Sequence, residues 1–148
     1  MSDENIDWSF VLFREICETG SGHVYGAALY SEDGLLGTAV SDLVPHEAIT
    51  FDADANALFA AVRTDRDPPA RLTIGGVKYL GEQSAPYDVG NAFRAVQLTS
   101  ISSSRKNGIW LAESKFGLIA GLFERNGMSS PVRAYTEVIR LAKGLNRT

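Results

Sequence analysis

Cysteine and histidine are scarce in this chain, basic residues are outnumbered, and long apolar runs are missing. Each shortage removes a class of function. The one cysteine, Cys17, has no partner for an internal disulfide, and its place in an apolar N-terminal run reads as a buried thiol in a reducing compartment. His23 and His46 are the only histidines and neither stands near a second ligand pair, so no zinc-type cluster is spelled out. Lys and Arg number 14 against 18 Asp and Glu, a net charge of −4 that argues against non-specific nucleic-acid binding, which needs a basic surface to release counterions. No apolar run approaches the ~20 residues that span a bilayer. The opening MSDENID is acidic where a secretory signal is basic, so a cytoplasmic protein is expected. The Asn146-Arg147-Thr148 sequon is accordingly read as chance.

Catalytic motifs are missing as well. There is no phosphate-loop lysine motif, no nucleophile elbow and no paired cysteine cluster. Gly20, Gly22 and Gly26 have the wrong spacing for a dinucleotide loop and lead into a strand rather than a helix. Asp52 with Asp54, and Asp65 with Asp67, sit where helix starts and loops ordinarily place aspartate. The expectation is a non-enzyme without a cofactor or metal.

What remains is an ordinary globular composition, 45% apolar and 22% charged over 148 residues, which fits one domain over residues 1–148 that folds unaided. Residues 7–18 read as a helix with Phe10, Phe13 and Cys17 on its apolar face, ended by Gly20-Ser21-Gly22. Residues 23–30 and 35–40 read as a hairpin around Asp33-Gly34, a pair that tolerates the positive φ of hairpin turns. Pro45 breaks the chain, and Asp52-Ala53-Asp54 caps a second helix over residues 55–63 with Leu58, Phe59 and Val62 inward. After a polar linker, residues 71–74 and 77–80 flank Gly75-Gly76 as a second hairpin.

Residues 92–101 alternate imperfectly as a strand, Phe93, Ala95, Gln97 and Thr99 on one face and Arg94, Val96, Leu98 and Ser100 on the other. The turn over residues 102–108 leads to strands at 107–113 and 115–123. Ser130-Pro131 then opens a helix to about residue 145, with Ala134, Val138, Leu141 and Leu145 as its buried stripe and Glu137 paired to Arg140. Helices alternating with a run of strands predict an antiparallel sheet with helices on its faces. Arg63, Arg66, Arg71, Arg94, Arg105 and Lys106 are the cations that such a fold gathers if helix two and the sheet are adjacent.

The order of these pieces resembles profilin, a family of small actin-monomer-binding proteins. The resemblance rests on Trp8 in the first helix, residues 27–34 ending at Asp-Gly, and the helix at 52–63. It continues through Gly75-Gly76-Val77-Lys78-Tyr79, the strands at 108–124, Pro131 and Arg140-Leu141. It covers nearly the whole chain, and its strength lies in order and spacing. It implies an α+β fold with a central antiparallel sheet of about six to seven strands, the N- and C-terminal helices on one face and the middle helix on the other.

The resemblance also implies an actin-binding set of Arg63, Lys78, Leu80, Gln83, Arg94, Met128, Ser130 and Arg133. It implies phosphoinositide binding, for which Arg63, Arg66, Arg71, Arg105 and Lys106 offer a local cationic patch, and a monomeric, cytoskeleton-associated protein that regulates actin polymerisation. For proline-rich peptides it offers Trp8, with Phe10 and Tyr135 as substitutes, because the set departs from the family pattern. Val11, Gly37 and the neighbourhood of Gly144 stand where aromatic residues are expected. Weak peptide binding follows. The rival expectation is a small non-enzymatic sensor or trafficking-adaptor domain of similar helix-sheet-helix architecture.

Overall fold

The computed structural model describes residues 7–15, 24–40, 51–63, 71–86, 94–100, 107–114, 116–124 and 131–146. In chain order these form α1 (Trp8–Phe13), β1 (Gly26–Ser31), β2 (Gly34–Val40), α2 (Ala55–Arg63), β3 (Arg71–Ile74) and β4 (Val77–Pro86). β5 (Arg94–Ser100), β6 (Asn107–Ser114), β7 (Gly117–Glu124) and α3 (Pro131–Asn146) complete the set. The seven strands build one antiparallel sheet in the order β2-β1-β7-β6-β5-β4-β3.

Strict alternation along the central strands divides their side chains between two apolar layers. Ala27, Leu29, Trp110, Ala112, Ile119 and Phe123 point to the layer that holds Trp8 and Leu12 of α1 and Ala134, Val138 and Leu141 of α3. Ala28, Tyr30, Ile109, Leu111, Leu118, Ala120 and Leu122 point the other way, to Leu58, Phe59 and Val62 of α2. The terminal helices therefore share one face of the sheet and the middle helix takes the other, as expected. In β5 the faces separate as the alternation predicts: Val96 and Leu98 enter the α2 layer, while Gln97 and Thr99 stand opposite Trp110 and Gly108 and are buried polar groups.

Local chemistry accounts for the element ends. Asp54 caps α2, its carboxylate accepting from Asn56 N at 3.1 Å and its carbonyl from Leu58 N at 3.2 Å. Asp52 contributes its backbone instead, the carbonyl accepting from Gly75 N at 2.8 Å and anchoring the β3–β4 turn to the start of α2. Two hairpins close alike. Ser31 Oγ donates to Gly34 O and accepts from Asp33 N, and Ser114 Oγ donates to Gly117 O and accepts from Phe116 N. In the first of these turns positive φ falls on Gly34 alone, at 140°, so Asp33 does not share it.

Helix α1 corrects the expected apolar face. Phe10 and Phe13 are 58% and 36% exposed, whereas Trp8 and Leu12, one turn apart, are buried. The cause is the contact with β2: α1 lies so close that a Cβ at Gly37 would fall 2.6 Å from Ser9 N and 2.8 Å from Trp8 Cβ. Docking on that glycine turns the Trp8–Leu12 stripe inward and leaves Phe10 outside. Cys17 and the glycines at 20 and 22 lie outside the described residues, as do both histidines, Pro45, Phe93 and the turn at 101–106.

β4 also differs from expectation, continuing past Leu80 to Pro86. The added residues are held by pairing with β5, Gln83 to Gln97 and Ala85 to Ala95, across a register shift between Gly81 and Gln83. Their own composition carries little strand signal, so the partner strand decides.

Candidate functional site

The β3–β4 hairpin places the first group of candidate residues. Leu72, Ile74, Val77 and Tyr79 pack into the α2 layer, which leaves Arg71, Thr73, Lys78 and Leu80 on the opposite face. Register sets Thr73 against Lys78 and Arg71 against Leu80. Arg71, Thr73 and Lys78 are exposed and Leu80 is half-buried. An open cleft runs along the hairpin, lined by Arg71, Leu72, Thr73, Lys78 and Tyr79. Among the described residues neither Arg71 nor Lys78 makes an ion pair.

The same face continues inward across the sheet. Leu80 pairs with Thr99 and Thr99 with Gly108, beside which Phe123 lies. Thr99 Oγ1 is buried and accepts or donates no hydrogen bond among the described residues. The shift in β4 brings Gln83 into register with Gln97, on the row of Trp110, so the backbone positions of Lys78, Leu80 and Gln83 all belong to this face. The backbone of Arg94 pairs with Pro86 and takes the alternate register of Val96 and Leu98, the α2 side. Arg63 ends α2 on that side too, and Arg133 is exposed near the start of α3. Met128 and Ser130 lie outside the described residues.

The aromatic candidates separate into two environments. Trp8 is buried and its ring meets Phe116 at 5.0 Å and 48°; Tyr135 is half-buried and meets Trp110 edge-on at 4.9 Å. Both pairs belong to the α1/α3 layer, and burial raises the Tyr135 phenol above its ordinary pKa. Phe10 stands apart, exposed, with the Arg14 guanidinium 5.9 Å above its ring. Sequence reasoning missed Trp110 and Phe116 as members of this cluster. For Trp110 the signal was present in strand parity, since it alternates with Ile109 and Leu111; Phe116 occupies a turn, where periodicity is silent.

One ionic network fastens the terminal helices together. Arg140 meets Glu137 through Nε at 3.1 Å and through a second nitrogen at 3.2 Å. It also reaches Glu15 Oε1 at 3.4 Å and the Glu15 carbonyl at 3.0 Å. The guanidinium is held above its ordinary pKa, chiefly by the Glu137 hydrogen bond and against the opposing effect of burial.

Of the cations proposed to meet lipid headgroups, Arg71 is exposed on β3 and Arg63 closes α2, whereas Arg66, Arg105 and Lys106 lie outside the described residues. Among the described residues no three His, Cys, Asp or Glu side chains converge as metal ligands, and no helix is long and apolar enough to cross a membrane.

Comparison of the whole fold with solved structures finds profilin IB of Acanthamoeba castellanii, which superposes with a TM-score of 0.55 over 91% of this chain and 97% of that one, at 19% sequence identity. The sequence matches no protein-family model. No curated protein aligns with it significantly. The seven-strand antiparallel sheet with three helices is thus a profilin-like α+β fold.

Proposed function

We propose that this chain is a non-enzymatic binder of monomeric actin that regulates actin polymerisation, working in the cytoplasm as part of the cytoskeleton. The observation that carries the reading is a profilin-like fold extending over nearly the whole chain, with Lys78 and Leu80 on an open sheet face. Gln83 on the same face, Arg63 and Arg94 on the α2 side, and Met128, Ser130 and Arg133 complete the proposed contact set. A half-buried leucine beside exposed cations suits recognition: a modest apolar centre gives area, and a charged rim steers approach and selects the partner without chemistry. The chain acts as a monomer and as one domain.

Two weaker activities accompany it. Proline-rich segments meet Trp8, Phe10 and Tyr135, with reduced affinity because Gly37 carries no ring. Anionic phosphoinositide headgroups meet Arg63, Arg66, Arg71, Arg105 and Lys106, a local basic set on an acidic chain. The test of the main reading is titration of the chain against actin monomers from several divergent sources, with Lys78→Glu and Arg94→Glu as charge-reversal controls. Binding that both variants weaken supports it; absence of binding to every actin tested ends it.

A further inference from the structure

The two edges of the sheet are finished differently. At β2 the Thr38 amide donates to Ser9 Oγ on α1 at 3.0 Å, and α1 packs over Gly37, so a helix side chain satisfies an amide of that strand. At the other end, among the described residues, β3 pairs on one side only, with β4.

Register decides which backbone groups β3 presents outward. Gly75 and Gly76, at φ 58° and 79°, form a two-residue hairpin turn, so the flanking pair Ile74–Val77 exchanges both of its hydrogen bonds. Antiparallel alternation makes Leu72–Tyr79 the next bonded pair and leaves Thr73–Lys78 and Arg71–Leu80 as non-bonded pairs. The N–H and C=O groups of Arg71 and Thr73 therefore face away from β4. Their side chains share a face with Lys78, along the open cleft, and that face carries two cations without an ionic partner among the described residues.

We propose that β3 is a strand-addition site for an extended acidic segment of a partner protein. Such a segment donates to and accepts from the outward groups of Arg71 and Thr73, and its alternate side chains bring carboxylates to the face of Arg71 and Lys78. Charge selects this occupant over a second copy of the chain, which would bring the same two cations to the junction, an unfavourable cross-strand pairing. The site adjoins the proposed actin face and shares Lys78 with it; the outward backbone groups of Arg71 and Thr73 belong to it alone, and its test reads peptide binding without actin.

The test uses the full chain and three heptapeptides: alternating Glu/Val, alternating Lys/Val, and Glu/Val with alternate amides N-methylated. The expected result is saturable binding of the Glu/Val peptide that shifts the Arg71 and Thr73 amide resonances. The Lys/Val and N-methylated peptides bind at least roughly tenfold more weakly, because one reverses the charge and the other removes the pairing edge. Arg71→Glu weakens Glu/Val binding by a similar factor. Thr73→Pro, which removes an outward N–H and no hydrogen bond of the β3–β4 ladder, abolishes the binding while leaving that ladder intact. The N-methylated peptide supplies the same information on the unmutated chain should Thr73→Pro fold poorly. Equal binding of all three peptides, no binding of the Glu/Val peptide, or a concentration-dependent dimer that Thr73→Pro dissolves overturns the proposal.

Discussion

A Cβ placed on Gly37 falls 2.8 Å from Trp8 Cβ, so the first helix seats its tryptophan directly on the backbone of the edge strand. The residue that profilin-like spacing would make a second tryptophan is therefore a position on β2 where a side chain collides with α1. Gly37→Ala is expected to cost about 1–3 kcal/mol through overpacking, read as a lower urea midpoint at unchanged slope. Gly37→Trp should displace α1 and change Trp8 fluorescence rather than rebuild a groove. An alanine variant as stable as the parent contradicts this packing.

Stability at alkaline pH should report on Tyr30. Its hydroxyl donates to the Phe51 carbonyl at 2.6 Å, and burial, then the Asp52 charge, then Tyr79 push the phenol well above its ordinary 10.0. Because the folded value exceeds the unfolded one, the stabilisation is complete below pH 10 and declines above it, by up to about 1.4 kcal/mol per pH unit for one group. Urea unfolding followed from about pH 8 to about pH 11.5 should show this bend. Tyr30→Phe should reduce the alkaline slope and cost about 1 kcal/mol at neutral pH for the lost hydrogen bond. An identical alkaline slope in the variant contradicts the assignment.

Proline-rich peptides should bind at least about tenfold more weakly than to a profilin with a complete aromatic groove, a loss of about 1.4 kcal/mol. Trp8→Ala is expected to abolish the remainder and also to loosen α1, since Trp8 belongs to the core. Phe10→Ala separates the two effects, because Phe10 is 58% exposed and its truncation leaves packing nearly untouched. Reduced peptide affinity at unchanged melting temperature assigns Phe10 to the site; unchanged affinity removes it.

Vesicles carrying phosphoinositides should co-sediment with the chain in a salt-sensitive manner, since the proposed attraction is electrostatic and a Debye length shrinks from about 10 Å at 0.1 M to 3 Å at 1 M salt. Arg105→Ala with Lys106→Ala should lower the bound fraction. Association that resists added salt has another cause.

The sequence carried much of this fold because several elements declare themselves locally. Pro131 starts α3, Gly75-Gly76 closes β3 onto β4, and α2 over Ala55–Arg63 follows from its Asp54 cap and apolar stripe. The orientation of α1 was not legible. Trp8, Phe10, Val11, Leu12 and Phe13 make a helix apolar on most sides, so periodicity leaves its inward face open and a glycine on a distant strand selects it. The length of β4 was hidden for a similar reason: its outer half owes its conformation to β5. In the candidate site, Lys78 was legible from the Gly-Gly turn that precedes it. The Trp8–Phe116 and Trp110–Tyr135 pairs join residues far apart in the chain, and only the tertiary fold brings them together.

The most direct measurement is an equilibrium titration of the chain against monomeric actins from divergent sources, with filament assembly followed in parallel. A one-to-one complex with at least one of them is predicted, together with altered assembly at matching concentrations. Lys78→Glu and Arg94→Glu should each bind several-fold more weakly at an unchanged melting temperature. A stable homodimer by light scattering, found without any actin complex, would favour the sensor or adaptor alternative. No complex and no effect on assembly with any actin, from a chain that is demonstrably folded, would contradict the proposed actin binding.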